Sequence, residues 1–143
     1  MFDVRALSHD VYVTGLDINA NAEGGSGAVK VFSRAGSYAG HEGGQGGWDL
    51  VYDRTNVEQN EQDQVTELGD FGDGAVRIPA GTVRSFYVWA EYMLAYTKGS
   101  VTGEEFARDD SVVFYEGVGI LDYFGHVYPA RVWNGNIHYY TTR

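Results

Sequence analysis

The side chains of this chain that are able to do chemistry are oxygens, amides and aromatic rings. There is no cysteine, which excludes disulfides, thiolate metal sites and thiol redox chemistry. The best cation candidate is the alternating run Asp17-x-Asn19-x-Asn21-x-Glu23. Alternate positions of an extended segment fall on one side, and a hard cation such as Ca²⁺ gathers several oxygens. An EF-hand is excluded, because Ala22 and Ala28 stand where the turn glycine and the closing glutamate belong. The plainer reading of the run is a strand leading into a polar turn. Asp70 and Asp73, among glycines, are turn formers before they are ligands.

Other partial signatures fail for chemical reasons. His41-Glu42-Gly43-Gly44-Gln45 starts like a zinc-protease helix but lacks the second histidine. Gly24-Gly25-Ser26-Gly27-Ala28 ends in alanine where a nucleophile elbow has glycine, and no helix follows. No Gly-Lys-Ser/Thr and no βα alternation occur, so phosphate cradles and dinucleotide folds are out. The acid pairs Glu104-Glu105 and Asp109-Asp110 read as solvated charge unless the fold brings two carboxyls together.

Aromatic residues give the ligand-binding candidates. Tyr38 and Trp48 flank a glycine-rich loop and would make a sugar-stacking platform; as loop anchors they would be buried instead. The densest cluster is Arg131-Val132-Trp133-Asn134-Gly135-Asn136-Ile137-His138-Tyr139. Arg131 and Trp133 share one side of a strand and can stack. Asn134-Gly135 reads either as a two-residue hairpin turn or as a close backbone approach inside one long strand. The ligand candidates are therefore Tyr38, Trp48, Arg131, Trp133 and Asn134, and the metal candidates Asp17, Asn19, Asn21 and Glu23.

The elements that must position these residues are strands. Twenty glycines supply turns, and eleven Tyr, seven Phe and three Trp suit pleated surfaces. Strands are predicted at Phe2 to Leu7, Val11 to Ile18, Ala28 to Arg34, Trp48 to Asp53, Gln64 to Leu68, Ala75 to Ile78, Val83 to Ala90, Met93 to Thr97, Val112 to Glu116 and Arg131 to Thr141. In the second, the apolar phase slips from Val11 and Val13 to Leu16 and Ile18, predicting a bulge at Gly15. Val83 to Ala90 is apolar on both faces and reads as a central strand covered on each side, or as one whose outer face meets a partner. Glu104 to Asp110 is long enough for one helical turn. Ala35 to Gly47 reads as a surface loop whose polar atoms face water or a ligand. Pro79 and Pro129 are expected just before strands. One domain over 1–143 follows: a two-sheet antiparallel β-sandwich, jelly-roll-like, with little or no helix.

Bulk charge narrows the partners. The formal net charge is −10, with Lys30 and Lys98 the only lysines, which disfavours nucleic acid and anionic membranes. No apolar run approaches the ~18 residues of a membrane span, so no membrane insertion is expected. Met1 leads directly into Phe2-Asp3-Val4 with no export signal in this chain, and this strand-like start predicts a processed end or an excised domain.

Several segments carry a resemblance. Phe2-Asp3-Val4, Gly15-Leu16-Asp17-Ile18-Asn19, Val31-Phe32-Ser33-Arg34 with Gly36-Ser37-Tyr38, Trp48, Ala80-Gly81, Phe86-Tyr87-Val88, Tyr96-Thr97, Glu116-Gly117-Val118-Gly119, and Pro129 with Arg131-Val132-Trp133-Asn134-Gly135 occur in that order along nearly the whole chain. In these the chain resembles β-rich modules of secreted and cell-surface multidomain proteins of bacteria, with similar sequences in diatoms. It departs from their pattern at Ala130, inserted between Pro129 and Arg131, and in the polar stretch Glu58 to Gln64. The resemblance implies an extracellular or cell-surface, non-enzymatic part and transfers no catalytic residue. The expected function is a structural or adhesive module associating with copies of itself, in a filament or matrix. The alternative is a carbohydrate-binding module, with polysaccharide as partner and Ca²⁺ assisting.

Overall fold

A computed structural model describes residues 1–20, 25–61, 64–72 and 74–142. Its strands are β1 (Phe2–Ala6), β2 (Val11–Asn19), β3 (Ser26–Ala35), β4 (Asp49–Glu58), β5 (Val65–Asp70), β6 (Val76–Ile78), β7 (Val83–Ala90), β8 (Tyr96–Lys98), β9 (Glu105–Arg108), β10 (Val112–Tyr115), β11 (Gly117–Leu121), β12 (His126–Trp133) and β13 (Gly135–Thr141). Among the described residues there is no helix. The fold is the antiparallel β-sandwich expected.

Three sheets build it. The largest runs β4-β3-β7-β1-β10-β9, and β13-β2-β5 forms the second, with β6 also paired to β2. The third, β11-β12-β8, grows from the first: Glu116 alone separates β10 from β11, and Met1 meets Val118 through backbone hydrogen bonds. The main core fills the space between the first two sheets, with Phe2 and Val4 of β1, Leu16 and Ile18 of β2, and Phe86 and Val88 of β7. On the opposite face of the large sheet lies a second cluster of Met1, Phe32, Tyr38, Trp48, Tyr87 and Val118. Strand β7 keeps its predicted bounds and lies between these two clusters, paired to β1 on one edge and β3 on the other.

The bulge at Gly15 is present. Register breaks at His138/Tyr139 against β13 and at Gly15/Asp17 against β5. Here β2 changes neighbours, from β6 beside Val11–Val13 to β5 beside Gly15–Asn19. A Cβ on Gly15 would lie 2.5 Å from the Gly69 carbonyl oxygen, so the backbones meet where only glycine fits.

Three expectations are corrected, and one strand carries too weak a signal to be predicted. Glu104 to Asp110 holds no helical turn: Glu105–Arg108 is β9, hydrogen-bonded to β10. That strand is exposed along its length, so it shows no apolar alternation, and its neighbour alone makes it extended. β11 escaped notice because its two glycines weaken the strand signal. The run Arg131 to Thr141 is two strands in two sheets, divided at Asn134, where the chain crosses over without a hairpin. Gly135 does allow close approach, since a Cβ there would lie 2.1 Å from the Asp17 carbonyl oxygen. Pro129 lies within β12, not before a strand; beside it Ala130 takes φ 53° as the register against β11 shifts between Gly117 and Gly119.

Gly15→Ala is predicted to destabilise the fold by about 1–3 kcal/mol, the usual cost of forcing extra volume into a packed site. Gly43→Ala, in open space, should leave the urea midpoint unchanged. Equal midpoints for both variants would refute the close approach at Gly15.

Candidate functional site

Tyr38 and Trp48 are not exposed. They are only 5% and 7% accessible, in the second cluster, with the Trp48 ring edge-on to Tyr87 at 6.2 Å between centroids. The glycine-rich loop folds back onto the sheet because its polar atoms find protein partners. Ser37 Oγ donates to the Asp3 carboxylate at 2.6 Å, the Tyr38 N–H donates to it at 3.3 Å, and Trp48 Nε1 donates to the His41 carbonyl at 2.9 Å. Burial, aided by the nearby Asp3 and Glu42 carboxylates, pushes the Tyr38 hydroxyl up to about 12. Both rings act as loop anchors, which leaves no sugar platform at this position.

The Asp17 run has a structural use. Leu16 and Ile18 enter the core, so Asp17 faces outward, yet it is only 4% accessible because β13 covers it. Its Oδ2 accepts from Asn136 Nδ2 at 3.0 Å and pairs with His138 Nε2 at 2.8 Å, both from the neighbouring strand. Asn19 Oδ1 is buried without a hydrogen-bond partner among the described residues. Asn21 and Glu23 lie outside the described residues, as does Asp73. Among the described residues no three His, Asp or Glu side chains gather within reach of one ion.

The C-terminal candidates are parted by their partners. The Arg131 guanidinium lies over Tyr96 and Tyr128, at 6.0 and 5.8 Å from the ring centroids, not over Trp133. Its Nη1 donates to the Pro129 carbonyl at 2.8 Å. Trp133 stacks on Phe2, centroids 4.7 Å apart and planes 19° from parallel. Asn134 Oδ1 accepts from Thr97 Oγ1 at 3.1 Å, tying the crossover to β8.

Two clefts meet at Trp133. One, of about 380 Å³, lies between β7 and β11, with Trp89, Met93, Tyr123 and Arg131 on its walls. The other, of about 450 Å³, separates β9 from β13 at the open side of the sandwich and is floored by Phe114 and Ile137. Across the second, the Tyr139 hydroxyl donates to Asp109, which also accepts from the Ser111 and Val112 N–H groups. Burial alone would raise the Asp109 carboxyl; these hydrogen bonds outweigh it and hold the group below its ordinary range. Glu105 is paired with Arg108, so neither acid pair converges on an open cleft as two free carboxylates.

The sequence reading passed over the cleft residues Trp89, Met93 and Tyr123. The signal for Trp89 was present, as the outward member of a strand apolar on both faces. Tyr123 stands in a turn where Asp122 and Phe124 adopt φ of 62° and 52°, which no local pattern announces. Comparison with protein families, curated proteins and solved structures finds no match to this chain.

Trp48→Ala should destabilise the protein by about 3–5 kcal/mol, as for other buried aromatic truncations, and a shift below about 1 kcal/mol in urea unfolding would contradict the anchor role. Asp3 supplies a pH test. Burial raises its carboxyl above the ordinary 3.8 despite the hydrogen bonds from Ser37 and Tyr38. The folded chain thus holds this proton more tightly than the unfolded one. The stabilisation is full at low pH and is lost as pH rises past 3.8 and through the folded value. Asp3→Asn cannot titrate, so the stability difference should move in the variant's favour from about pH 3 to about pH 6. Parallel pH profiles for variant and parent would show that the carboxyl is not raised.

Proposed function

We propose that this protein is a non-enzymatic structural module that associates with copies of itself, in the extracellular or cell-surface setting its resemblance implies. The observation supporting this is the chemistry of its strand edges. Exposed edges invite pairing with another chain, and soluble proteins guard them with charge. Strand β4 carries Asp49, Asp53, Arg54 and Glu58; β9 carries Glu105 and Arg108; β5 carries Glu67 and Asp70; β8 carries Lys98. Among the described edge strands, β11 and β13 alone have no Asp, Glu, Lys or Arg. Both border clefts, β11 facing β7 and β13 facing β9; the cleft beside β13 lies at the open side of the sandwich, which makes β13 the unguarded edge more open to another chain.

Strand β13 also presents a ring ladder. Tyr140 is 50% accessible and lies parallel to Tyr12 of β2, centroids 5.0 Å apart and planes 6° from parallel. An added strand would extend this stack. A contact of β13 with β13 closes a two-fold dimer, and its pairing with a different edge propagates as a filament. With −10 on every copy, association strengthens as salt screens the repulsion. The carbohydrate reading loses its support at Tyr38 and Trp48, whose rings are buried.

Light scattering and sedimentation of concentrated protein at low and high salt test the proposal. Oligomers growing with salt are expected, and Tyr140→Lys should return them to monomers while circular dichroism stays that of a folded β protein. Monomers under every condition would overturn it.

A further inference from the structure

Two strand edges lie on one side of the sandwich. Strand β9 ends the large sheet and β13 ends the second, with the cleft of about 450 Å³ between them. Both run the same way along it. Near the start of β9 the Phe106 ring is edge-on to Phe114 at 6.0 Å, and Phe114 lies 6.4 Å from Trp133, which precedes β13. At the far end the Tyr139 hydroxyl donates to Asp109, the residue after β9. That bond ties sheet to sheet, so the two edges are held as a fixed pair. Two residues back from Tyr139 stands Ile137, and the midpoint of Phe106 and Ala107 lies a similar distance back from Asp109. One axis normal to the sheets therefore passes through the middle of both strands.

The charges of β9 suit such an axis. Arg108 pairs with Val113 and Glu105 with Tyr115, with a register shift between, so both charges fall on one face of the sheet. Without that bulge, residues three apart would point to opposite faces. We infer that the β9–β13 face is where two copies of this chain meet, about a two-fold axis that sets each edge antiparallel to its own counterpart, resting on the self-association read from β13. Rotation about this axis places Glu105 opposite the second copy's Arg108, and Arg108 opposite its Glu105. Opposite charges directly across a strand pair favour it, and like charges oppose it. The two charges that guard β9 against other strands are thus complementary to a second β9.

The other positions agree. Phe106 and Ala107 both line the cleft, and the axis sets each against the other in the second copy. Phe106 is 54% accessible in the single chain, and this contact covers its open side. On β13 the axis falls at Ile137, bringing Asn136 opposite the second copy's His138 with no like charges facing. The two clefts then face each other across the axis, and their apolar floors of Phe114 and Ile137 are shut off from water. Both edges are used at once, so this contact closes on two copies.

Sedimentation of two charge variants, at a salt concentration where the parent associates, provides the test. Glu105→Arg and Arg108→Glu each set like charges opposite one another twice per dimer, so either alone should weaken association by at least about tenfold. Mixed in equal amounts, they should associate to within about threefold of the parent, since the arginines of one chain then face the glutamates of the other. The in-chain pair stays broken in both variants, so it cannot supply this recovery. In the parent, amide exchange within β9 should slow by at least about tenfold on association. If the parent associates but the single variants do so equally, or the mixture does not recover, or β9 exchange is unchanged, the two-fold contact is overturned while self-association stands. A parent that is monomeric under every condition overturns both.

Discussion

Strand β7 has no solvent face, and the architecture answers that constraint. Phe86 and Val88 point into the main core while Tyr87 and Trp89 point the other way, so the large sheet needs cover on both sides. On one side the β13-β2-β5 sheet supplies it. On the other, no complete second sheet is available, and the work falls to the glycine-rich loop and the β11–β12 hairpin. The hairpin turn puts the Phe124 ring 4.7 Å from Tyr87 and 5.3 Å from Phe32, with its backbone at φ 52°. Left-handed backbone costs an aromatic residue about 1–2 kcal/mol, and the partly buried ring offsets this by packing on Tyr87 and Phe32.

How much of this is legible in the sequence depends on whether a residue's environment is local. The bounds of β7 and the bulge at Gly15 can be read because apolar phase along a strand reports directly on faces. Strand β9 cannot, since Glu105-Phe106-Ala107-Arg108 carries no pattern of its own and is extended only because β10 lies beside it. The break at Asn134 is equally hidden. Both halves of Arg131 to Thr141 look like strand, and only the competition of β8 and β2 for them assigns two sheets.

The candidate residues divide in the same way. Their types were informative, but their orientation depended on what covers them. An aromatic surplus too large for one core suggests exposed rings; here a second cluster absorbs Tyr38, Trp48 and Tyr87. The Asp17 carboxylate looked like a ligand beside its own strand neighbours. Its partners, Asn136 and His138, come from the far end of the chain, which no reading of one segment can supply. The cleft between β7 and β11 was hidden for a related reason: it is a relation between two registers and leaves no mark on either strand alone.

The distant partners of β1 and β2 govern how the chain comes together. Though adjacent in sequence, these strands enter opposite sheets, β1 between β7 and β10, β2 between β13 and the β5–β6 pair. Thr14 reaches His138 across 124 positions, and Met1 reaches Val118 across 117. Among the described strands, only β3–β4, β9–β10 and β11–β12 pair with the next strand along the chain. Closing such long loops must precede the contacts that reward it, which places this chain among slow-folding, high-contact-order topologies. During synthesis β1 and β2 emerge before the strands they pair with, apolar and without partners, and β2 keeps an open edge until β13 leaves the ribosome. These sheets therefore close only once β13 is available, and β1 and β2 are the strands most exposed to aggregation in the interval.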